Sequence, residues 1–204
     1  MSSAPVQRRP WPMKWVVLAI IAIIVPYTII TLVYRKPGPA FQPYEDMKNR
    51  ANVKRLLDAG YQRVPITAQR PADPSKPKGG TPAPAAAGGL PEDLRTTLVE
   101  PLLLPSEILS ATAAPSIGAQ QIYLIHLTAA LPAENQQLAG ADIYVRGDTV
   151  VITPTLERVG GGLVARSQQT VALLTVPAGV LKPGRYMVTV VGERTSRVWP
   201  LEVK

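Results

Sequence analysis

Residues 15–34 have the sequence WVVLAIIAIIVPYTIITLVY, an apolar stretch that contains no charged side chain. About twenty residues of α-helix rise about 30 Å, which matches the hydrocarbon core of a bilayer. Basic residues flank the stretch on both sides, and the aromatic rings of Trp15 and Tyr34 stand at its ends, as at a membrane interface. The stretch predicts one transmembrane helix at 15–34, preceded by a basic cytoplasmic tail at 1–14.

The stretch lacks the features of a cleaved signal peptide. Signal peptides have an apolar region of about 7–15 residues that ends in small side chains. This stretch is longer, and bulky side chains occupy its last turn. We therefore expect an uncleaved membrane anchor.

Pro26 lies in the middle of the predicted membrane helix and removes one backbone hydrogen bond, which predicts a kink. The hydroxyls of Thr28 and Thr31 are candidates to bond the backbone groups that the proline frees. Two interpretations of Pro26 stay open: a tolerated kink, or a site where a partner helix packs.

The positive charge of the chain clusters around the anchor. Residues 1–90 contain 13 Lys and Arg against 4 Asp and Glu, whereas residues 91–204 contain 9 against 10. The net charge of +8 therefore belongs to the membrane-proximal half, and attraction to anionic lipid headgroups explains it better than nucleic-acid binding. The short tail before the anchor favours the inner (cytoplasmic) membrane of a bacterium, with the C-terminal domain in the periplasm.

The juxtamembrane segment at 35–70 contains one predicted helix, residues 44–59. Acidic side chains occupy its first turn, basic side chains its end, and a glycine follows at the C-cap position, as the helix dipole favours. Its narrow apolar stripe is bordered by Arg50, Lys54 and Arg55. Such a helix can lie on lipid headgroups or dock on a neighbouring subunit, and the alternative is a solvated spacer helix.

Residues 71–90, PADPSKPKGGTPAPAAAGGL, form a tract of proline, alanine and glycine. The tract lacks the large apolar side chains whose burial offsets the conformational entropy that is lost on ordering. It predicts a semi-extended linker that tethers the distal domain.

The distal domain, residues 91–204, has the period-two pattern of β-strands and predicts an immunoglobulin-like antiparallel β-sandwich. The chain is therefore expected to be mainly β, apart from its membrane helix and its juxtamembrane helix. We expect Tyr186 and Trp199 to close one end of the core, and a helical turn at 105–109. The predicted strands are 97–104, 120–128, 141–146, 149–155, 163–166, 171–176, 185–192 and 196–203.

No motif in the chain nominates a catalytic or metal site. His126 is the only histidine, there is no cysteine, and the histidine lies in an apolar strand pattern. Gly160-Gly-Gly162 lacks the lysine and hydroxyl residue of a phosphate-binding loop and predicts a tight turn. The sequence therefore predicts a protein that is not an enzyme and has no catalytic residue, cofactor or metal.

Two segments of the chain carry a resemblance to a known family. They are residues 44–63, the post-anchor helix with the aromatic residue after it, and residues 181–203, which begin LKPGRY and end LEV. These segments, together with the order of tail, single membrane helix and small β-rich domain, resemble the FixH/CcoH-type accessory proteins of cbb-type (C-family) haem-copper oxidases. The resemblance implies a non-catalytic role in assembling or stabilising a respiratory membrane complex.

We predict a single-pass membrane accessory or assembly subunit of a larger membrane complex, with a respiratory oxidase as the expected class of complex. The expected partners are an integral membrane protein complex and anionic lipid headgroups, with no nucleic acid and no small-molecule substrate. The alternative is a membrane-tethered periplasmic binding module for a peptide, a glycan or an envelope component. The residues expected to contact the partner are Trp15, Pro26, Tyr44, Arg50, Lys54 and Arg55.

Overall fold

The computed structural model describes residues 12–34, 43–71, 80–159 and 167–204. The chain divides into two compact units, Met1–Pro43 and Tyr44–Lys204. The first unit contains helix α1, and the second contains every strand that the structure describes.

Helix α1 extends over Met13–Tyr34 and confirms the helix predicted at 15–34. Its span Met13–Thr31 is long and apolar enough to cross a membrane, and none of that span is buried by the described part of the chain. The Trp15 side chain, for example, is 66% exposed. An apolar helix without protein cover is stable where lipid or a partner helix surrounds it.

The two threonine hydroxyls of α1 form hydrogen bonds within the helix. Thr28 Oγ1 donates to the Ile24 carbonyl at 2.8 Å, and Thr31 Oγ1 donates to the Tyr27 carbonyl at 2.7 Å. The carbonyl that loses its donor is the one four residues before Pro26, and neither hydroxyl bonds it. The expectation that these hydroxyls replace the lost bond is therefore wrong, because each bonds the carbonyl four residues before itself, as threonine commonly does in helices.

Helix α2 extends over Pro43–Asp58, which confirms the helix predicted at 44–59. Gly60 follows it with φ of 79°, and the Tyr61 amide donates to the Leu56 carbonyl at 2.8 Å. A six-to-one bond across a left-handed glycine is the Schellman motif that commonly ends helices. The first strand begins directly after this cap.

The elements after α2 form a β-barrel that carries short extra strands and a short helix. They are β1 (Gln62–Gln69), β2 (Thr81–Pro82), β3 (Ala85–Ala87), α3 (Glu92–Thr97), β4 (Glu107–Ala113), β5 (Ser116–Ile117), β6 (Tyr123–Ala130), β7 (Gln136–Arg146), β8 (Thr149–Arg158), β9 (Gln169–Val176), β10 (Gly184–Val190) and β11 (Thr195–Val203). Eight strands form a ring in the order β4–β6–β9–β1–β7–β8–β10–β11, and Thr195 of β11 pairs with Glu107 of β4 to close it.

The predicted immunoglobulin-like antiparallel sandwich is corrected to a single closed sheet. Two contacts in the ring are parallel, β8 with β10 and β11 with β4, and the other contacts are antiparallel. A period of two shows which side chains face the core, but it does not show which strands pair. The mainly β class is correct, and the sandwich arrangement is not.

Six of the predicted strands correspond to β6–β11, and the other predictions need correction. Residues 97–104 are not a strand, because the acidic residues after Pro91 begin α3 and the chain is then irregular as far as β4. β4 covers most of the helical turn predicted at 105–109. The strand predicted at 163–166 and the tight turn predicted at 160–162 lie outside the described residues. β1 belongs to the barrel wall, so the β domain begins well before the predicted boundary at residue 91.

The C-terminal half of the predicted linker at 71–90 belongs to the barrel. β2 pairs with β4, and β3 pairs with β11. The Gly88 amide donates to the Arg194 carbonyl at 3.0 Å, and a Cβ placed on Gly88 would lie 2.3 Å from the carbonyl carbon of Arg194. The small side chains that suggested a linker instead permit this close backbone approach. Residues 72–79 lie outside the described residues.

Trp199 is buried in the hydrophobic core and takes part in a chain of hydrogen bonds. Its Nε1 donates to the Tyr123 hydroxyl at 2.8 Å, and that hydroxyl donates to the Ala114 carbonyl at 3.0 Å. Burial raises the pKa of Tyr123 to about 12. Tyr186 packs on the same core, as expected, and its hydroxyl donates to the Lys182 carbonyl at 2.9 Å.

Replacing Gly88 with alanine tests whether this segment belongs to the fold. The new Cβ overlaps the backbone of Arg194, so we expect the free energy of unfolding to fall by on the order of 1–3 kcal/mol, as at other overpacked sites. In a flexible linker the same change is neutral or slightly stabilising. Urea unfolding of the full chain in detergent, followed by circular dichroism, measures the difference. Ala87→Ser, at an exposed neighbouring position, is the control.

Tyr123 predicts a specific loss of stability at alkaline pH. Because its pKa is about 12 in the folded chain against 10.0 for a tyrosine in water, the unfolded chain loses this proton first. The stabilisation is therefore complete below pH 10.0 and is lost as the pH rises toward 12, by about 3 kcal/mol for the whole shift. We expect the unfolding free energy of Tyr123→Phe to fall less steeply than that of the unmodified chain between about pH 9 and about pH 11.5. Equal slopes for the two chains would contradict the assignment.

Candidate binding surfaces

Helix α2 is held on the outside of the barrel by a second apolar cluster. Its Leu56 is fully buried there, and the Asn52 side-chain oxygen accepts a hydrogen bond from the Val99 amide at 3.4 Å. Lys48 on the same side of the helix contacts the carboxylate of Glu100. The alternative of a solvated spacer helix is therefore wrong. The buried members of the cluster are Leu56, Tyr61, Leu94, Leu98, Tyr144, Val151 and Val191.

Two ion pairs lie next to the second apolar cluster. Arg63 Nη2 donates to Asp142 Oδ2 at 2.8 Å, and this hydrogen bond raises the pKa of Arg63. Arg146 Nη2 donates to Asp93 Oδ2 at 2.5 Å, while the guanidinium carbon of Arg146 lies 4.6 Å from the centroid of the Tyr61 ring. Burial raises the pKa of Tyr61. These contacts join α3, β1, β7 and Tyr61, which follows the cap of α2. The contacts of α2 itself with this side of the barrel are those of Lys48, Asn52 and Leu56.

The opposite side of α2 presents apolar and basic side chains to the outside. Met47, Val53 and Leu57 are 68%, 47% and 64% exposed, and Arg50 and Lys54 lie beside them. We call these five residues the α2 face. An exposed apolar stripe next to positive charge is typical of a surface that meets a membrane or a partner protein. A groove of about 370 Å³ separates this side of α2 from the start of β1, lined by Val53, Leu56, Leu57, Tyr61, Arg63 and Pro65.

The structure brings some of the predicted contact residues together and separates others. Arg50 and Lys54 are one turn apart and line the same depression on α2. Arg55 follows Lys54 by one residue, which rotates its side chain about 100° around the helix and away from the α2 face. Tyr44 lies in the first turn of α2, and its side chain lies outside the described residues. Trp15 and Pro26 lie in the other unit, on α1.

The sequence prediction did not include Val53 as a contact residue. The spacing of the sequence could have indicated Val53. It lies four residues before Leu57, so the two side chains lie on one side of a helix. Leu56 and Leu57 are adjacent in the sequence, but the structure places Leu56 in the buried cluster and Leu57 on the exposed side of the helix.

A second candidate surface lies at one end of the barrel, where β1 ends. β1 pairs with β7 as far as Thr67 and with β9 as far as Gln69. In the part of the chain that the structure describes, residues 136–139 of β7 pair only with β8, and residues 169–172 of β9 pair only with β6. Beside the end of β1, where Ala68, Gln69 and Arg70 lie, no described strand pairs with these two segments. We call the gap between them the notch.

A cavity of about 690 Å³ opens at the notch. The side chain of Gln136 lines it and is 6% exposed, and its Oε1 has no hydrogen-bond donor among the described residues. Leu131, Leu138 and Ala172 supply apolar surface, and Arg70 supplies the one charged side chain among the described lining residues. The uncharged polar lining consists of Gln69, Gln136, Gln137, Ser167, Gln169 and Thr170.

His126 lies on the outer side of β6, half-buried, between Thr112 of β4 and Leu173 of β9. Its two chain neighbours, Ile125 and Leu127, point into the core. Among the described residues, no group of three or more His, Asp and Glu side chains is placed to hold a metal ion. The histidine is therefore part of the outer surface of the sheet.

No protein-family model, no curated protein and no solved structure matches the chain.

Proposed function

We propose that the chain is a non-catalytic, single-pass membrane protein that acts as an accessory or assembly subunit of a larger membrane complex. The sequence resemblance of residues 44–63 and 181–203 makes a cbb-type respiratory oxidase the first candidate for that complex. The observation that carries the proposal is the α2 face, because α2 contacts the barrel side through Leu56 and still leaves large apolar side chains uncovered.

Covering the α2 face is energetically favourable for a membrane-bound partner. Burying the exposed parts of Met47, Val53 and Leu57 contributes on the order of 1 kcal/mol for each side chain. Arg50 and Lys54 each gain about 1 kcal/mol near anionic lipid headgroups. These gains suit a surface that rests on lipid and on an integral membrane protein together.

The length of chain between the helices supports a membrane-proximal position for α2. Residues 35–42 connect α1 to α2, and even a fully extended chain of this length spans only about 30 Å. The α2 face therefore stays within reach of the lipid headgroups when α1 spans the bilayer. In the proposed topology the bilayer is the bacterial inner membrane and the barrel is periplasmic.

The proposal predicts that acidic substitutions on the α2 face separate the chain from its complex. We expect Val53→Glu combined with Leu57→Glu to reduce the amount of complex that copurifies after mild detergent extraction by at least about fivefold, because each carboxylate must then lose water in an apolar contact. The measurement is quantitative mass spectrometry of the copurified proteins.

Met187→Glu is the matched control for this experiment. Met187 is 49% exposed on β10 and lies on neither candidate surface, so the same change of an apolar side chain to an acid there should leave copurification unchanged. The accessory role is contradicted if the doubly substituted chain copurifies as well as the unmodified one, or if the unmodified chain always purifies alone.

The second candidate function is a membrane-tethered binding module for a peptide, a glycan or an envelope component, and the notch favours it. Exchanging residues 15–34 for an unrelated membrane helix separates the two functions. An accessory subunit whose anchor packs on a partner through Trp15 and Pro26 loses at least about half of its assembled complex after the exchange, whereas a tethered module keeps its function. The amount of assembled complex in membranes from cells that carry only the exchanged chain is the measurement.

A further inference from the structure

We infer that α1 pairs in the membrane with α1 of a second copy of this chain. In this pair the Tyr27 hydroxyl of each copy donates a hydrogen bond to the Ala22 carbonyl of the other copy. The inference goes beyond the proposed function, because the larger complex then receives two copies of the chain. It rests on α1 alone and does not depend on the α2 face.

The backbone of α1 lacks one hydrogen-bond donor at the centre of the membrane span. Pro26 has no amide hydrogen, so the Ala22 carbonyl loses the donor that position 26 supplies in an ordinary helix. The span Met13–Thr31 has 19 residues, and Ala22 is the middle one. Water is scarce at this depth, so a polar group without a partner is strongly unfavourable there.

Tyr27 places one unused hydroxyl close to the same depth. Its side chain is 71% exposed, and the hydroxyl has no hydrogen-bond partner among the described residues. Tyrosine in membrane helices is enriched at the interfaces, but Tyr27 lies only about 7.5 Å along the axis from the middle of the span. Its side chain leans toward the N-terminal end of the helix, and therefore toward the level of Ala22.

The other hydroxyls of the span are already in use. Thr28 and Thr31 each donate to a carbonyl of their own helix. The remaining side chains of the described span 16–31, apart from Tyr27, contain no hydrogen-bond donor. Tyr27 is therefore the one side chain of this span that can serve the Ala22 carbonyl.

A single helix does not join this donor to this acceptor. Five residues separate Ala22 from Tyr27, and five residues rotate about 140° around the helix axis. The two groups therefore lie on different sides of α1. A second helix is needed to satisfy both of them.

A parallel pair of α1 helices brings the two groups together. Copies of a single-pass chain insert in the same orientation, so their membrane helices are parallel. When such helices pair along positions a and d of a seven-residue repeat, position g of one helix faces the following position e of the other, five residues further along. With Pro26 at d, Ala22 occupies g and Tyr27 occupies e. Twofold symmetry then gives two equivalent hydrogen bonds.

The a and d positions of this pair form an apolar seam. Ile23 and Val33 on the seam are 71% and 72% exposed in the single chain, so pairing covers side chains that have no protein neighbour. The small side chains of Ala19 and Ala22 let the two backbones approach closely. The chain supplies donor and acceptor in equal number at one depth, which assigns the site to a second copy. The seam residues are Val16, Ala19, Ile23, Pro26, Ile30 and Val33.

Cysteine cross-linking of the full chain tests the seam, because the chain has no cysteine of its own. Ile23→Cys lies at position a, and the control Ile21→Cys lies at position f on the opposite side of α1. Each chain is placed in vesicles of phosphatidylcholine and phosphatidylglycerol and oxidised with copper phenanthroline. We expect at least about fivefold more covalent dimer from Ile23→Cys than from Ile21→Cys. Equal cross-linking at the two positions overturns the inference.

Energy transfer between full chains labelled at Ser2→Cys measures the association constant as vesicle lipid dilutes them. Tyr27→Phe removes only the hydroxyl, and we expect it to weaken association about fivefold to thirtyfold, because two interhelical hydrogen bonds are lost. Thr28→Val is the matched control. It also removes one hydroxyl, but that hydroxyl bonds the Ile24 carbonyl of its own helix, so association should not change.

Pro26→Ala tests the acceptor, because it gives the Ala22 carbonyl its helical donor again. On this background we expect Tyr27→Phe to change the association constant by less than about twofold, since the hydroxyl no longer has a free acceptor. An equally large effect of Tyr27→Phe on both backgrounds would show that the hydroxyl bonds another group, and the inference would be overturned.

Two further outcomes overturn the inference. One is unchanged association of the Tyr27→Phe chain. The other is a chain that stays monomeric at every lipid dilution. If Ile23→Cys of such a monomeric chain cross-links to a different protein in native membranes, an unrelated helix occupies this side of α1. None of these outcomes changes the expected copurification result for the α2 face, so the two proposals fail separately.

Discussion

The strand β1 is the element on which the barrel depends, because among the described strands it alone pairs with both β7 and β9. Those two strands are parallel to each other and carry no ladder of their own, so the ring closes between them only through the two edges of β1. The strand also connects the two apolar clusters. Ile66 faces the barrel interior, whereas Arg63 and Pro65 face α2 and the outer cluster.

The sequence predicted the elements whose evidence is local. An uncharged apolar stretch, a helix with charges that suit its dipole, and six alternating strands all follow from patterns within about ten to twenty residues. The sequence did not predict β1 for two reasons. Most of its side chains are exposed, with Ile66 as its one buried residue, and Pro65 lies inside it. Its stability comes from hydrogen-bonded ladders on both edges, and a ladder depends on strands that are far away in the sequence.

The same distinction applies to the candidate surfaces. Arg50 and Lys54 could be placed on one side of a helix by counting residues, so their juxtaposition was predictable. The exposure of Leu57 and the burial of Leu56 were not, because the barrel decides which side of α2 is covered. The notch could not be predicted from the sequence. It arises because β1 is shorter than β7, and because β9 continues past it, which are relations among three separate segments.

The chain around Gly60 links the outer apolar cluster to the barrel wall. The Schellman bond between Tyr61 and Leu56 locks the end of α2, and β1 starts at the next residue, so no flexible joint separates helix from strand. Helix α2 and β1 therefore share one backbone turn. A substitution that opens this cap displaces Leu56 from the outer cluster and the first residues of β1 from their ladder with β7 together.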